Sequence, residues 1–283
     1  MLFHEERKYE SDIPVEAKIF DNINFLAHYH NEIELILVRD GSLKMMINSE
    51  NRVLEKGDMA ICTSGDIHYY DSKDRESSII LIVFRPEFIE DAVKWPWSTR
   101  FTPPFIDRST IDSAGLEKST LKEIKDCFEK IHSELNEQKR HHEILVKGHL
   151  VQLIGLFLRH MPQSDMGHQN MNAANGRKMI QKAIEFILSN YSKSISLLDL
   201  SEHLGVTPSY FSSYFSKNTG QTFKSYLNTI RVERAYILLK SRQEPVIDVA
   251  HECGFNSIRT FNRVFKNIKG YKPSSLRSGR SRV

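Results

Sequence analysis

Cysteines are few in this sequence, and neither a long apolar run nor a leader-like N-terminus is evident. Cys62, Cys127 and Cys253 are scattered and form no CxxC pair, which argues against a disulfide framework and a structural zinc site. The longest apolar stretches are Ser78–Phe84 and Leu150–Leu158, far short of the ~20 residues that span a bilayer. The first residues form no apolar segment with a cleavage site, so we expect a cytoplasmic protein with no membrane partner.

Net charge is also small, but it is unevenly divided along the chain. The 283 residues carry 39 Lys and Arg against 36 Asp and Glu, a formal net charge of +3. Residues 1–174 hold 21 basic and 29 acidic side chains, a net of −8, whereas residues 175–283 hold 18 and 7, a net of +11. A basic segment of domain length is typical of a part that meets a polyanion. An arbitrary asymmetry of solvated faces is the alternative that charge alone leaves open.

Short strands are predicted from about Phe20 to Phe84. The β-prone run Ile33–Val38 is followed by an Asp40-Gly41 turn signal, and further turn signals separate the later segments up to Ser77–Phe84. Close, regular spacing of this kind is typical of a small antiparallel sandwich or barrel. The strands predicted between the first and the last are Leu43–Ile47, Arg52–Leu54, Met59–Cys62 and His68–Tyr70.

Two amphipathic helices are predicted next, followed by a polar segment. The second helix, from about His141 to His160, is apolar nearly all round in its later half and must be buried on more than one side. We expect residues 113–160 both to cover the sheet and to form a homodimer interface. Residues 161–176 have no apolar period, and we expect an interdomain linker there. The apolar stripe of the first helix is Leu121, Ile124, Phe128, Ile131 and Leu135.

The basic segment contains the same helical unit twice. In each unit a glycine, Gly205 or Gly254, ends a short helix, and a capping residue, Thr207 or Ser257, begins the next. Two phenylalanines four residues apart then point inward. We therefore predict two helix-turn-helix units, at about 195–217 and 246–267, joined by a long helix into a duplicated DNA-reading module. The inward phenylalanines are Phe211 and Phe215 in the first unit and Phe261 and Phe265 in the second.

These motifs and their surroundings resemble the signature of the AraC/XylS family of transcription regulators. The resemblance covers roughly the last 105 residues, including Thr207-Pro208-Ser209-Tyr210-Phe211, Arg231-Val232-(x2)-Ala235 and Cys253-Gly254-Phe255. It implies an all-α domain whose two recognition helices lie in adjacent major-groove segments, about one turn (~34 Å) apart. It also implies double-stranded promoter DNA as a partner, and RNA polymerase as a second partner if the protein is an activator.

Residues on and near the two recognition helices are candidates for contact with DNA. Arg259 and Arg263 are four apart and share one helical face, so either could bind a guanine through two hydrogen bonds; neutralising phosphate alone is the alternative. The serines of the first helix reach less far, so we expect that helix to read through water or shape. Lys217, Arg231 and Lys266 are assigned to phosphates. The predicted DNA-binding residues are Ser209, Ser212, Ser213, Lys217, Arg231, Arg259, Thr260, Arg263 and Lys266.

The strand-rich part contains spacings that resemble the two cupin motifs. They are His28-(x)-His30-(x3)-Glu34-(x6)-Gly41 and, later, Gly57-(x7)-Gly65-(x2)-His68. His28, His30 and Glu34 share one parity on a strand, so all three are predicted to point into the same space. In metal-binding cupins the corresponding residues and the later histidine hold a divalent metal such as iron, manganese or nickel.

This cluster has three possible roles. A departure from the second motif, with Thr63 and Ser72 in place of its proline and asparagine, weakens the metal interpretation. Residues that merely fill the barrel are a further alternative. We predict instead a ligand pocket, lined by His28, His30, Glu34 and His68, without a metal or cofactor, which would suit a hydroxyl-rich small molecule such as a sugar.

We therefore expect an α+β protein. Its parts are a cupin-like β-barrel that senses a ligand (residues 1–112), a helical dimerisation segment (113–160), a linker (161–176) and an all-α DNA-binding domain (177–283). The predicted function is a sequence-specific transcription regulator controlled by a small-molecule effector, and not an enzyme. A metal-dependent cupin enzyme with an attached DNA-binding localiser, and an architectural DNA binder with a degenerate barrel, are the alternatives.

Overall fold

The chain folds into two compact units, His4–Arg177 and Lys178–Val283. The computed structural model describes residue 9 and residues 12–93, 99–165 and 171–278. The strands are β1 Val15–Asp21, β2 Asn24–His28, β3 Ile33–Ile47, β4 Glu50–Glu55, β5 Met59–Cys62, β6 His68–Asp71, β7 Ser77–Phe84, β8 Thr99–Phe101, β9 Phe105–Ile106 and β10 Gln163–Asp165. The helices are α1 Arg108–Ser113, α2 Lys118–Glu137, α3 His142–His160, α4 Met171–Asn190, α5 Leu197–Leu204, α6 Pro208–Thr219, α7 Phe223–Ser241, α8 Val246–Glu252, α9 Ile258–Lys269 and α10 Ser275–Ser278.

Two antiparallel sheets share the long strand β3. The first half of β3 pairs with β5 and β7, and β1 and β9 extend that sheet at its edges. The second half of β3 pairs with β4 and β6, and β2 pairs with β6. Apolar side chains including Ile36, Met45 and Phe105 fill the space between the sheets. The predicted fold class, an N-terminal sheet domain followed by a helical domain with two helix-turn-helix units, is confirmed.

The predicted turn at Asp40-Gly41 is wrong. β3 continues through these residues, and its register against β7 shifts between Val38 and Asp40. Gly41 has φ +71°, and a Cβ there would collide with the carbonyl oxygen of Glu76. The signal that resembles a turn is therefore a β-bulge, which bends β3 from one sheet into the other.

Both faces of the first sheet are covered, which explains the unbroken apolar run at the start of β3. Ile33, Leu35 and Leu37 belong to a core shared with α2 and α3, whereas Ile36 and Val38 belong to the core between the sheets. Successive side chains of a strand point to opposite faces, so a strand buried on both sides loses the polar alternation. The predicted covering role of the two helices is confirmed.

Part of the expected linker, residues 161–176, has regular structure. Gln163–Asp165 forms β10, which pairs with β8, and α4 begins at Met171. Residues 166–170 lie outside the described residues. The polar composition conceals β10 because this strand is held by main-chain pairing to β8, which leaves no apolar period in the sequence.

The C-terminal unit contains two helix-turn-helix units that pack against α7. The first consists of α5 and α6 with Gly205 in the left-handed conformation between them, and the second of α8 and α9. The ring of Phe215 on α6 makes an edge contact with Tyr226 on α7, with centroids 5.3 Å apart. Ala235 and Leu239 at the other end of α7 pack with α8 and α9. None of the helices in the described part of the chain has the length and apolar character needed to cross a bilayer.

Candidate functional sites

Helix α9 presents a basic face to solvent. Its N-cap Ser257 accepts a hydrogen bond from the Thr260 amide at 3.5 Å, and the buried rings of Phe261 and Phe265 anchor the opposite face. Arg259 and Arg263 are both exposed, as are Thr260 and Lys266. The structure therefore brings the predicted residues of the second recognition helix onto one accessible surface.

The same surface includes residues that the sequence analysis did not single out. Asn262 is exposed between the two arginines, and it lines a groove of about 560 Å³ together with Arg263, Lys266 and Lys272. The groove has an apolar floor formed by side chains of α8 and the start of α9. Aligning the two repeats along the chain would have revealed Asn262, because Ser212 holds the corresponding position.

Helix α6 presents a different surface. Ser209, Ser213 and Lys217 are exposed and Ser212 is half-buried, so the predicted residues again lie on the outer side. Tyr210 has the largest side chain in this region and is 52% exposed, but it is not among the predicted DNA-binding residues. The ring of Tyr210 stacks on that of Tyr214, with centroids 5.7 Å apart and planes 25° from parallel.

Arg231 differs from the sequence prediction. Its Nε donates to the carbonyl oxygen of Tyr191 at 2.7 Å, and its Nη2 donates to that of Lys193 at 2.8 Å. The guanidinium also lies 5.8 Å from the ring centroid of Phe255. Burial lowers the pKa of this side chain from its usual value. Arg231 therefore fastens α7 to the segment after α4, a structural role that the prediction of a phosphate contact did not include.

The four predicted pocket residues lie together inside the barrel. The ring centroids of His28 and His68 are 4.2 Å apart, and those of His30 and His68 are 5.1 Å apart. Glu34 Oε2 lies 3.0 Å from His30 Nε2, and Glu34 Oε1 lies 3.3 Å from His68 Nε2. The convergence is as expected, but its predicted cause is wrong, because His28 ends β2, His30 lies in the following loop and Glu34 lies on β3.

Backbone carbonyls orient two of the histidines. Nδ1 of His28 lies 2.8 Å from the oxygen of Leu26, and Nδ1 of His68 lies 2.9 Å from the oxygen of Asp66. A carbonyl accepts only from N–H, so each neutral ring carries its proton on Nδ1 and a lone pair on Nε2. Nε2 of His68 faces the buried carboxylate of Glu34, and neither Glu34 Oε1 nor His68 Nε2 has a hydrogen-bond partner among the described protein atoms. When the ring is neutral both atoms are acceptors, which a hydroxyl donor or a cation between them would satisfy; when it is protonated, Nε2 is a donor toward Glu34.

The electrostatics keep a negative charge within this cluster. Burial raises the pKa of Glu34, but the neighbouring His68 and His30 outweigh it and hold the pKa well below its usual range. Burial and the proximity of His68 lower the pKa of His28 well below its usual value. The pocket therefore combines an ionised carboxylate with a neutral His28 imidazole.

The donor set would also fit a divalent cation. One ligand atom from each of His28, His30, Glu34 and His68 lies within 4.8 Å of the others. Three imidazoles and one carboxylate are ligands that iron, manganese and nickel accept. The Nδ1 hydrogen bonds to backbone carbonyls are the kind that orient histidine ligands.

Two further features beside the cluster escaped sequence analysis. Tyr70 Oη is buried without a hydrogen-bond partner among the described protein atoms, and its ring centroid is 6.0 Å from that of His68. Asp66 accepts hydrogen bonds from the Thr63 amide and hydroxyl at 2.7 Å and forms an ion pair with Arg100 on β8. A partly buried ion pair therefore ties the loop before His68 to the strand that pairs with β10.

Comparisons with known proteins match both units. Residues 12–154 match the model of an AraC-like ligand binding domain, and residues 200–279 match that of a helix-turn-helix domain. The chain is 26% identical over 254 residues to the HTH-type transcriptional activator RhaS of Mannheimia succiniciproducens, covering 89% of each. It is 25% identical over 248 residues to the uncharacterized HTH-type transcriptional regulator SAS0078 of Staphylococcus aureus strain MSSA476, covering 84% of this chain. The match spans only 31% of that relative's length.

Solved structures give similar matches. ToxT from Vibrio cholerae aligns with a TM-score of 0.44 and 12% identity, covering 95% of this chain and 99% of that chain. The C-terminal domain of the two-component response regulator yesN from Fusobacterium nucleatum aligns with a TM-score of 0.34 and 31% identity, covering 36% and 98%. Since one family model matches half of the sequence and the other matches the region with the two helix-turn-helix units, the chain belongs to the AraC family of transcriptional regulators.

Proposed function

We propose that the protein is a cytoplasmic, sequence-specific DNA-binding transcription regulator controlled by a small-molecule effector. The observation that carries this proposal is the pair of capped recognition helices, α6 and α9, each anchored by two buried phenylalanines with its polar face open to solvent. The net charge of +11 on residues 175–283 supports attraction to the phosphate backbone. The name of the relative RhaS favours activation, with RNA polymerase as the second partner.

Arg263→Ala tests the DNA-binding role. The full-length protein is first used to select preferred duplexes from a random library, and affinity is then measured by band shift. Loss of a guanine contact weakens specific binding by about 1–3 kcal/mol while affinity for unrelated duplex changes far less. Lys182→Ala is the control, since it removes an exposed cation of α4 outside both recognition helices. An unchanged specific affinity in Arg263→Ala would contradict the assignment of α9.

We propose that the effector binds between the two sheets, at the cluster of His28, His30, Glu34 and His68. The support is that Glu34 Oε1 and His68 Nε2 lie 3.3 Å apart, and that both these atoms and the buried Tyr70 Oη lack hydrogen-bond partners among the described protein atoms. A hydroxyl-rich molecule such as a sugar offers both donors and acceptors to such a set. Because an effector shifts an equilibrium only by its differential affinity, it must bind one state of the regulator better than another.

Thermal stability screened against sugars and small metabolites tests this site. A ligand present at 100 times its Kd raises stability by about 2.7 kcal/mol, and the increase disappears in Glu34→Gln if the ligand binds at the cluster. A true effector also changes affinity for the selected duplex. Stoichiometric iron or manganese that is lost in His30→Ala would instead favour a metal-dependent cupin, and turnover of a bound compound would favour an enzyme.

We also propose that α3 forms a homodimer interface in addition to covering the sheet. Ile144 and Leu145 are adjacent aliphatic side chains at the surface of α3, 64% and 48% exposed. Gly148 and Gly155 lie on the same face with no atoms near their Cβ positions, which leaves room for a second helix to approach. Sedimentation of Leu145→Asp tests this: the wild-type protein sediments as a dimer and the variant as a monomer. A wild-type monomer would overturn the proposal.

A further inference from the structure

The two recognition helices correspond residue by residue. The N-caps Thr207 and Ser257 each accept a hydrogen bond from the amide three residues later, and both helices contain 12 residues. The C-cap glycines, Gly220 and Gly270, are both left-handed. Each residue of α6 therefore has its counterpart fifty positions later in α9.

The two helices carry their large outward side chains at different positions. Four outward positions hold larger polar side chains in α9 and serines in α6. The order is reversed at two others, where Tyr210 corresponds to Thr260 and Lys217 corresponds to Asn267. The four serines are Ser209, Ser212, Ser213 and Ser216, and their counterparts are Arg259, Asn262, Arg263 and Lys266.

Tyr210 is placed to project from the helix in a fixed direction. It lies in the first turn of α6, the end of a recognition helix that reads bases, and it is 52% exposed. Its stacking against Tyr214 restricts the ring, so less conformational entropy is lost when the ring contacts another surface.

We propose that Tyr210 is the base-reading residue of the first helix-turn-helix unit, through contact of its ring with the C5-methyl group of a thymine. This inference depends on the proposed DNA-binding function. The short serines leave the tyrosine as the largest projection from the N-terminal half of α6, and an aromatic edge is apolar. In the major groove the thymine methyl is the base feature that apolar side chains contact. The first half of the site is therefore recognised by shape and one methyl group, and the second half by hydrogen bonds to α9.

Replacement of thymine by uracil tests the contact directly, because it removes only the methyl group. With the full-length protein and the duplex it selects from a random library, uracil at one thymine of the first half-site should weaken wild-type binding about fourfold, the effect of one buried methyl group. Tyr210→Phe should respond in the same way, since it retains the ring. Tyr210→Ala should bind more weakly and be insensitive to the replacement.

Ser216→Ala is the matched control, because it truncates an outward side chain of the same helix that is not among the predicted DNA-binding residues. It should retain the sensitivity of the wild-type protein to uracil. Circular dichroism verifies that Tyr210→Ala keeps its helices. Equal uracil sensitivity in Tyr210→Ala and wild type, or a first half-site without a preferred thymine, would overturn the inference and leave the proposed function intact. A failure of the wild-type protein to select any duplex would overturn both.

Discussion

Replacement of Arg231 distinguishes a structural from a DNA-binding role for this side chain. Two guanidinium N–H groups donate to backbone oxygens of Tyr191 and Lys193, which lie 40 and 38 residues away in the chain. Hydrogen bonds to charged groups contribute about 1.5–3 kcal/mol each, and partial exposure puts this pair near the lower end. Arg231→Ala should therefore destabilise the C-terminal unit by about 3 kcal/mol.

Arg231→Lys makes the test sharper. A lysine retains the charge but has no planar fork, so it cannot donate to both carbonyls in the same geometry. We expect it to recover less than half of the lost stability. A phosphate contact would behave differently, because a lysine binds phosphate as a point charge and would preserve the affinity.

Hydrogen exchange measured by mass spectrometry on the full-length protein reads the stability of each segment. A loss of about 3 kcal/mol accelerates exchange through unfolding by roughly 100-fold in peptides from α7 and the end of α4. Lys224→Ala, which removes an exposed cation of the same helix, should leave exchange unchanged. The reasoning is refuted if Arg231→Ala exchanges like wild type while the salt dependence of DNA binding falls by about one phosphate and Arg231→Lys restores it.

Three further outcomes are expected. In metal-free protein the free energy of unfolding of the barrel falls as the pH drops below about 6.5. The reason is that His28 takes up a proton in the unfolded chain, whereas burial and His68 lower its pKa in the fold. In His28→Gln, the free energy of unfolding measured with urea should therefore depend less on pH between pH 7 and 5. Phe265→Ala, at a fully buried ring, should cost about 3–5 kcal/mol in urea unfolding, whereas a loss below 1 kcal/mol would contradict the core assignment. Gly205→Ala should lower the free energy of unfolding by about 1–2 kcal/mol because the φ of Gly205 is +68°. Gly254→Ala should lower it more, because the new Cβ would also lie 2.6 Å from the backbone oxygen of Tyr191. Equal losses would show that the backbone near Tyr191 moves to relieve this contact.

Local signals predicted the C-terminal unit well because its determinants lie close together in the sequence. The caps Thr207 and Ser257, the left-handed glycines and the inward phenylalanines all act within one or two turns of a helix. The role of Arg231 is one that local sequence signals do not predict. A basic side chain on a long helix resembles a phosphate ligand in sequence, and only the folded chain shows that the carbonyls of Tyr191 and Lys193 occupy it.

The barrel was harder to predict, because main-chain pairing leaves little trace in side-chain periodicity. The bulge before Gly41 has the composition of a turn, and β10 has the composition of a linker. The four pocket residues were found from their spacing, although a loop at His30, not a shared strand, brings them together. Tyr70 and Arg100 escaped prediction because nothing near them in the sequence marks a distant strand as their neighbour.

Because both helix-turn-helix units pack on α7, helices α6 and α9 have a fixed orientation relative to each other. Phe215 contacts α7 near its start, and Phe261 and Phe265 pack with its later half, so the two reading helices cannot rotate independently without breaking a core. One base pair inserted between the half-sites would turn the second by about 34° and move it by ~3.4 Å, since a turn of DNA holds 10–10.5 base pairs. Under the proposed function, a promoter with two intact half-sites at the wrong helical phase therefore presents only one of them to the protein.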